Sequence, residues 1–477
     1  MGENKQFKRA LISAACTLAF AAAGTTHAAN WLMLQGTEDP GAAARANVWG
    51  YVQAKYEKDF SDPNPNPTTG GYVPAKLLGP ELDSQEGFNI PRATIGIRGT
   101  GFPLDSRINY FALLEMGNNG VTHGSGAFAK LIDASITLNY IPGARIRAGL
   151  FKTPGAEEGL QAIHVFDYIN FTEMTNGLLL ERFPNKGFTD CTGAIAPCNE
   201  LTGNVGPYTE AQLQNGASLN RFDGSVSAFR DVGVQVFDAF DVGNNWEVSY
   251  AAMIGNGSGV QFSNSDGEYD KYLYLSGEKK FGGAGAKAEG LKFFAWGQWG
   301  TRLLDNTACT GATATSRGTC TAANANAKSY DRDRAGLGVK YMKKPFRVTA
   351  EYVTADGMIW TGPDKPNFYF TAPAQGNGAD AKASGWYVEG GWYIPNTKFE
   401  LDARFDTMTR LEGRLNEHQF DKWTLGMQYH FNPKTRVTLN YEMRDFECTA
   451  AGAPCTNANA NLKGVDDKVG VQLTMVY

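Results

Sequence analysis

Histidine is scarce in this chain of 477 residues, with five in all, and no G-x-S-x-G, H-E-x-x-H, P-loop or dinucleotide fingerprint is present. Nucleophilic, zinc-hydrolytic and nucleotide chemistry therefore lack their usual residue sets, and the chain reads as a non-enzyme that needs no cofactor. Long apolar runs are missing too. Beyond residue 28 nothing approaches the roughly eighteen apolar residues of a spanning helix, so any membrane crossing must use strands. Positive charge is not in excess either. Setting aside Lys5, Lys8, Arg9 and Glu3 of the first 28 residues leaves 41 basic against 48 acidic side chains, a formal charge of −7, which argues against a nucleic-acid partner.

The first 28 residues are expected to be a secretory leader: Lys5, Lys8 and Arg9 form a basic start, Ala10 to Ala23 an apolar run, and Thr26-His27-Ala28 a small-residue cleavage site. Residues 29–45 are expected to be a short periplasmic segment. Cysteine is sparing, and its distribution is informative. Apart from Cys16 in the leader, six cysteines form three local pairs, Cys191 with Cys198, Cys309 with Cys320 and Cys448 with Cys455, each in a Gly/Ala/Thr/Asn-rich segment. With no haem-attachment motif and no histidine at zinc spacing, the expectation is three loop disulfides formed outside the cytoplasm, and no metal. Each would contribute about 2 to 3 kcal/mol by closing a short loop.

What the chain has in quantity is alternation. The last nine residues, "VGVQLTMVY", put Val469, Val471, Leu473, Met475 and Tyr477 on one parity and Gly470, Gln472 and Thr474 on the other. A period of two marks a strand with one apolar and one polar face. Residues 423–431 and 436–444 repeat the pattern, and sixteen such segments run from residue 46 to residue 477. Short connections, "PGA" at 142, "VGNN" at 242, "KK" at 343, "PN" at 395 and "NP" at 432, alternate with mostly long ones. Tight turns on one side and long loops on the other are the outer-membrane pattern. The fold class expected is therefore all-β, a transmembrane antiparallel barrel of about sixteen strands over residues 46–477, in the bacterial outer membrane. If the last strand ends at the periplasm, all three cysteine pairs fall in outer loops.

Several stretches resemble the phosphate-selective porin O and P family. They include "NIPRATIGIRGTGF" from Asn89, "DASITLNYIPGARIRAGLFKTPGAEEGL" from Asp133, "FRDVGVQVF" from Phe229, "FELDARFDTM" from Phe399 and "LGMQYHFNPKTRVTLNY" from Leu425. The resemblance implies a trimeric water-filled channel whose third outer loop folds into the lumen. Residues 153–230 occupy that loop position. They carry nine acidic side chains, including Glu157, Glu158 and Glu173, against Arg182, Lys186, Arg221 and Arg230. A lysine-rich phosphate trap is not visible, so phosphate preference is not carried over. Glu157, Glu158, Glu173 and Arg182 are the candidates for the constriction.

Parity assigns Lys55, Arg92, Arg98, Arg107, Arg145 and Arg147 to the lumen of the early strands, with Glu115 and Asp133 among them. Such a strip would set a transverse field for dipolar or anionic solutes. The alternative is that these charges merely satisfy one another across strands. Lys152 has lipid parity, where it would cost about 2 to 4 kcal/mol, so its strand should end or bulge before it. Trp246, Trp299, Trp386, Trp392 and Trp423 read as the interfacial belt. Trp296, Tyr387 and Tyr393 have lumen parity and leave a sugar-stacking track open. The reading is a passive channel for small hydrophilic solutes, with inorganic or organic anions as permeants, lipid and a homotrimer as partners. The alternative is a structural barrel, as a sheath for an electron-transfer protein or a surface anchor.

Overall fold

The computed structural model describes residues 30–34, 37, 45–62, 86–101, 105–119, 122, 129–180, 228–260, 262–264, 267–283, 287–304, 309–310, 319–320, 328–359, 380–415 and 417–477. Arg182, Cys191, Cys198 and the leader lie outside them. Sixteen strands form a closed antiparallel barrel in sequence order. They are β1 (Asn47–Asp59), β2 (Glu86–Thr100), β3 (Ile108–Glu115), β4 (Lys130–Ile141), β5 (Ala144–Lys152), β6 (Arg230–Asp241), β7 (Trp246–Gly255) and β8 (Asp270–Gly282). The second half comprises β9 (Glu289–Trp299), β10 (Asp333–Lys343), β11 (Phe346–Asp356), β12 (Lys382–Tyr393), β13 (Phe399–Arg410), β14 (His418–Asn432), β15 (Thr435–Cys448) and β16 (Lys468–Val476). Among the described residues no helix is long and apolar enough to cross a membrane.

Closure leaves no free sheet edge, the condition for strands to sit in hydrocarbon. β16 completes it by pairing with β1, Tyr51 opposite Val476, and the terminal Tyr477 exchanges backbone hydrogen bonds with Gly50. The half-exposed ring of Tyr477 reaches across β1 to donate its hydroxyl to the Thr94 carbonyl at 2.6 Å. A side chain at position 50 would collide with that ring, which is why glycine stands there. The turns at one end are tight. Asn244 and Asn245 take left-handed backbone at φ 50° and 60°, which asparagine tolerates better than other non-glycine residues, and carry β6 straight into β7.

Burial is inverted relative to a soluble protein. Leu401, Trp392, Trp423, Leu425, Leu439 and Leu473 point outward and are exposed, whereas Arg147, Arg404, Arg410 and Lys422 are fully buried inside. The apolar core also lies inside the barrel. It joins Leu160, Met174, Leu178 and Leu179 of the third loop to Trp31, Leu32 and Met33 near the N-terminus and to wall residues such as Trp296, Tyr387 and Met408. In the outer loops, short strand pairs join 301–304 to 328–331 and 309–310 to 319–320, the latter placing Cys309 opposite Cys320. The helix α3 (Ala453–Leu462) covers β15. Cys448 and Cys455 form a disulfide there, as the local pairing predicts.

Two sequence expectations are modified. Lys152 ends β5, after a distortion at Gly149 (φ +124°), and its ammonium turns inward to the carbonyls of Gly159, Leu160 and Gln161. The lipid-facing cost is avoided because the cation crosses to the lumen side. Residues 29–45 are expected in the periplasm, yet residues 30–34 lie in the barrel. α1 (Trp31–Leu34) is buried against the inner wall, and the Asn30 amide donates to Glu247 at 2.8 Å and Ser249 at 2.6 Å. Trp31, Leu32 and Met33 are too apolar to remain in water when an apolar lumen patch is in reach.

Candidate lumen constriction

The third loop leaves β5 through "KTPGAEEGL", where Pro154 and Gly155 end the strand, and turns into the lumen. Its short helix α2 (Glu157–Leu160) sets two adjacent carboxylates against the opposite wall. Glu157 is clamped between Lys292 of β9 and Lys340 of β10, the latter at 3.0 Å, while its backbone N–H donates to Glu351 of β11. Burial pushes the Glu157 carboxyl up, but the two lysines overcome it and hold the group at about 2. Glu158 accepts the Thr172 hydroxyl at 2.6 Å and the Arg404 guanidinium of β13 at 3.3 Å. There burial dominates, and the carboxyl is raised from its ordinary value.

Farther along, the loop continues across the lumen in the same manner. His164 packs its ring on Tyr51 and Trp49 of β1, at 4.9 and 5.9 Å between centroids. Burial, with Arg436 and Lys152 adding repulsion, lowers this imidazole to about 3, so it is neutral. Asp167 pairs with Lys287 and with Arg347 at 3.2 Å. The Asn170 amide bridges Glu57 of β1 and Glu442 of β15, and the Ile169 N–H donates to Asn440. Glu173 meets Lys422 of β14 at 2.8 Å, and its N–H donates to Asp406. Arg334 of β10 donates to the Leu178 carbonyl at 2.7 Å. The segment thus spans the bore from β5 to β15 and β1, touching walls on both sides.

Three of the four constriction candidates, Glu157, Glu158 and Glu173, therefore come together on this loop; Arg182 falls outside the described residues. Their partners Lys292, Lys340, Arg404 and Lys422 were not singled out from sequence. Their lumen parity was readable, as in "ELDARFD", where Asp402, Arg404 and Asp406 alternate with apolar side chains. Which cation each loop carboxylate would meet was not.

The predicted basic strip is distributed as follows. Lys55 pairs with Glu57, Arg145 with Asp238 at 2.7 Å, and Asp133 with Arg230 at 2.8 Å. Arg92 donates to Gln53 at 3.1 Å. Glu115 accepts the N–H groups of Ala93 and Gly117 and so ties a loop. Arg98 donates to the carbonyls of Leu34 and Thr37, and Arg147 to that of Leu32, all at 3.3 Å. Arg107 stands apart. It precedes β3 in the turn, half-exposed, paired with Asp105 and lying 4.4 Å from the Tyr140 ring on the outer belt. Strand parity does not extend to a side chain outside the ladder. Trp296 and Tyr387 are buried, both donating to Glu351, and are not an open aromatic track.

A closed sixteen-stranded barrel crossed by a charged loop is the architecture of a diffusion channel. The family model described as phosphate-selective porin O and P matches residues 242–451, from the β6–β7 turn to just beyond β15. Over those residues the chain is similar to the phosphate-selective porin O and P family. This porin is an outer-membrane channel. Among solved structures, it is similar to OmpT of Vibrio cholerae, an outer membrane protein in trimer form, at 11% identity and TM-score 0.46 over 91% of this chain and 99% of that one. It is also similar to the outer membrane channel DcaP of Acinetobacter baumannii, at 11% identity and TM-score 0.47 over 93% and 100%. The anion-selective porin from Comamonas acidovorans gives 11% identity and TM-score 0.45 over 91% and 100%. No curated protein sequence matches the chain.

Proposed function

We propose that this porin passes small hydrophilic solutes by passive diffusion, without catalysis, and prefers anions. The observation that carries the preference is how the lumen cations are satisfied. Lys152 and Arg436 donate to backbone carbonyls. A carbonyl completes a hydrogen bond without cancelling the charge, so these groups leave positive potential in a bore with low-dielectric walls, which attracts anions. Carboxylate-paired cations such as Arg145 contribute less. The secretory leader, residues 1–28, would deliver the chain, and the homotrimer is the assembly this reading expects, its protomers joined through the apolar outer face.

A sheath for an electron-transfer protein needs an open bore, and the third loop across the lumen favours a solute channel instead. The test is planar-bilayer conductance under a salt gradient. The reversal potential is expected on the anion side and should move toward zero when Lys152 is made neutral, more than when Arg145 is. A cation-side reversal potential refutes the preference, and absence of conductance refutes the channel.

A further inference from the structure

An apolar patch on the lumen wall is out of place in a water-filled channel. Phe237 of β6, Ala251 of β7, Tyr274 of β8 and Phe294 of β9 all face inward and are buried. A bore lined for hydrophilic solutes calls for polar side chains at those positions. They belong to one buried cluster with Trp31, Leu32 and Met33 of α1. A four-residue helical turn is not stable alone in water, so the wall holds it.

The polar contacts around this cluster match on both sides. The Asn30 amide spans Glu247 and Ser249 of β7. Arg147, lying 4.4 Å from the Phe237 ring, donates to the Leu32 carbonyl. Arg98 donates to the Leu34 carbonyl, and Arg145 contacts the Met33 sulfur at 3.3 Å while keeping Asp238. Three of the arginines that sequence parity assigns to solute guidance are thus in contact with this segment. All three sit near the tight-turn end of their strands, away from α2 of the third loop.

We propose that residues 30–34 form a second constriction of this channel, in series with the third loop, and set its selectivity by covering Arg98, Arg145 and Arg147. A helical turn is about 10 Å across with its side chains, a large share of a bore already crossed by the third loop. The bulk of the turn, lying over the guanidinium groups, also keeps a passing solute from reaching them. The inference rests on the channel reading above and adds to it which residues limit flow.

The experiment is single-channel recording in planar bilayers of the full protein and of a variant lacking residues 30–34, each first shown to be a folded barrel by its heat-modifiable gel mobility. The deletion is expected to raise unit conductance by roughly twofold or more and to move the reversal potential further to the anion side. Equal conductance and reversal potential in both overturn it while leaving the channel intact. Silence of both overturns the channel reading and this one with it. If the deletion does not fold, the doubly substituted protein Asn30→Cys, Ser249→Cys decides. Oxidation is expected to cross-link the pair in the folded barrel and to leave conductance at the full-length value. No cross-link in folded protein overturns the placement.

Discussion

Replacing Glu157 by glutamine should loosen the third loop. The carboxylate is 1% exposed and sits between Lys292 and Lys340, with the side chain of Lys292 itself 4% exposed. Its fall from 4.5 to about 2 despite burial corresponds to roughly 3 kcal/mol in favour of the docked, ionised form. Removing one member of a buried ion pair costs about 3 to 5 kcal/mol, because the charge left behind stays desolvated. The two figures agree, and the loss should appear as local undocking of the loop rather than unfolding of the barrel. Single-channel traces of Glu157→Gln are expected to show frequent excursions between current levels that the parent lacks. Adding Lys292→Met removes the more deeply buried of the two stranded cations and should restore part of the quiet behaviour, giving a non-additive cycle. A variant as quiet as the parent, or strictly additive effects of the two substitutions, would refute this account of what holds the loop in place.

Acidification should undock the same loop in two stages. His164, ordinarily near 6.5, is held at about 3, and Glu157, ordinarily 4.5, at about 2. For both, the folded value is depressed, so their contribution is complete above the ordinary value and is lost as pH falls toward the depressed one. Current noise should rise below about pH 6.5 and more steeply below about pH 4.5, and His164→Phe should abolish the first stage; noise that is flat from pH 7 to pH 4 contradicts it. On the outer face, Leu425 is half exposed at the middle of β14. Leu425→Arg is expected to destabilise folding into lipid vesicles by about 2 to 4 kcal/mol in urea titrations, and an unchanged midpoint would mean that this face does not meet lipid. Serine at Cys448 and Cys455 opens a loop with a sequence separation of 7. By chain entropy it should cost about 2.5 kcal/mol locally, visible as faster proteolysis near α3 with the barrel melting unchanged.

Strand parity and turn chemistry, which are local, made the barrel readable in advance. The alternation in "VGVQLTMVY" and "RVTLNYEMR" places Leu473 and Leu439 outside and Thr474 and Thr438 inside, and all four are found so. Lys152 at lipid parity marked the point where β5 had to end, because hydrocarbon cannot hold an ammonium group. The family resemblance put residues 153–230 in the third-loop position, with Glu157 and Glu158 as the carboxylates to watch. Arg107 was misplaced by the same rule that succeeded elsewhere. One residue outside the ladder, a side chain is free to turn to Asp105 and the Tyr140 ring.

Long-range pairing was settled only by closure of the sheet. Glu157 meets Lys292 across 135 positions, Glu158 meets Arg404 across 246, and Asn30 meets Ser249 across 219. A period of two says which wall a charge is on, never which charge stands opposite, because that depends on strand number, stagger and the path of an irregular loop. The inward placement of Trp31 to Met33 had no local signal at all. Its cause is an apolar patch assembled from four separate strands, and such a surface exists only once those strands are side by side.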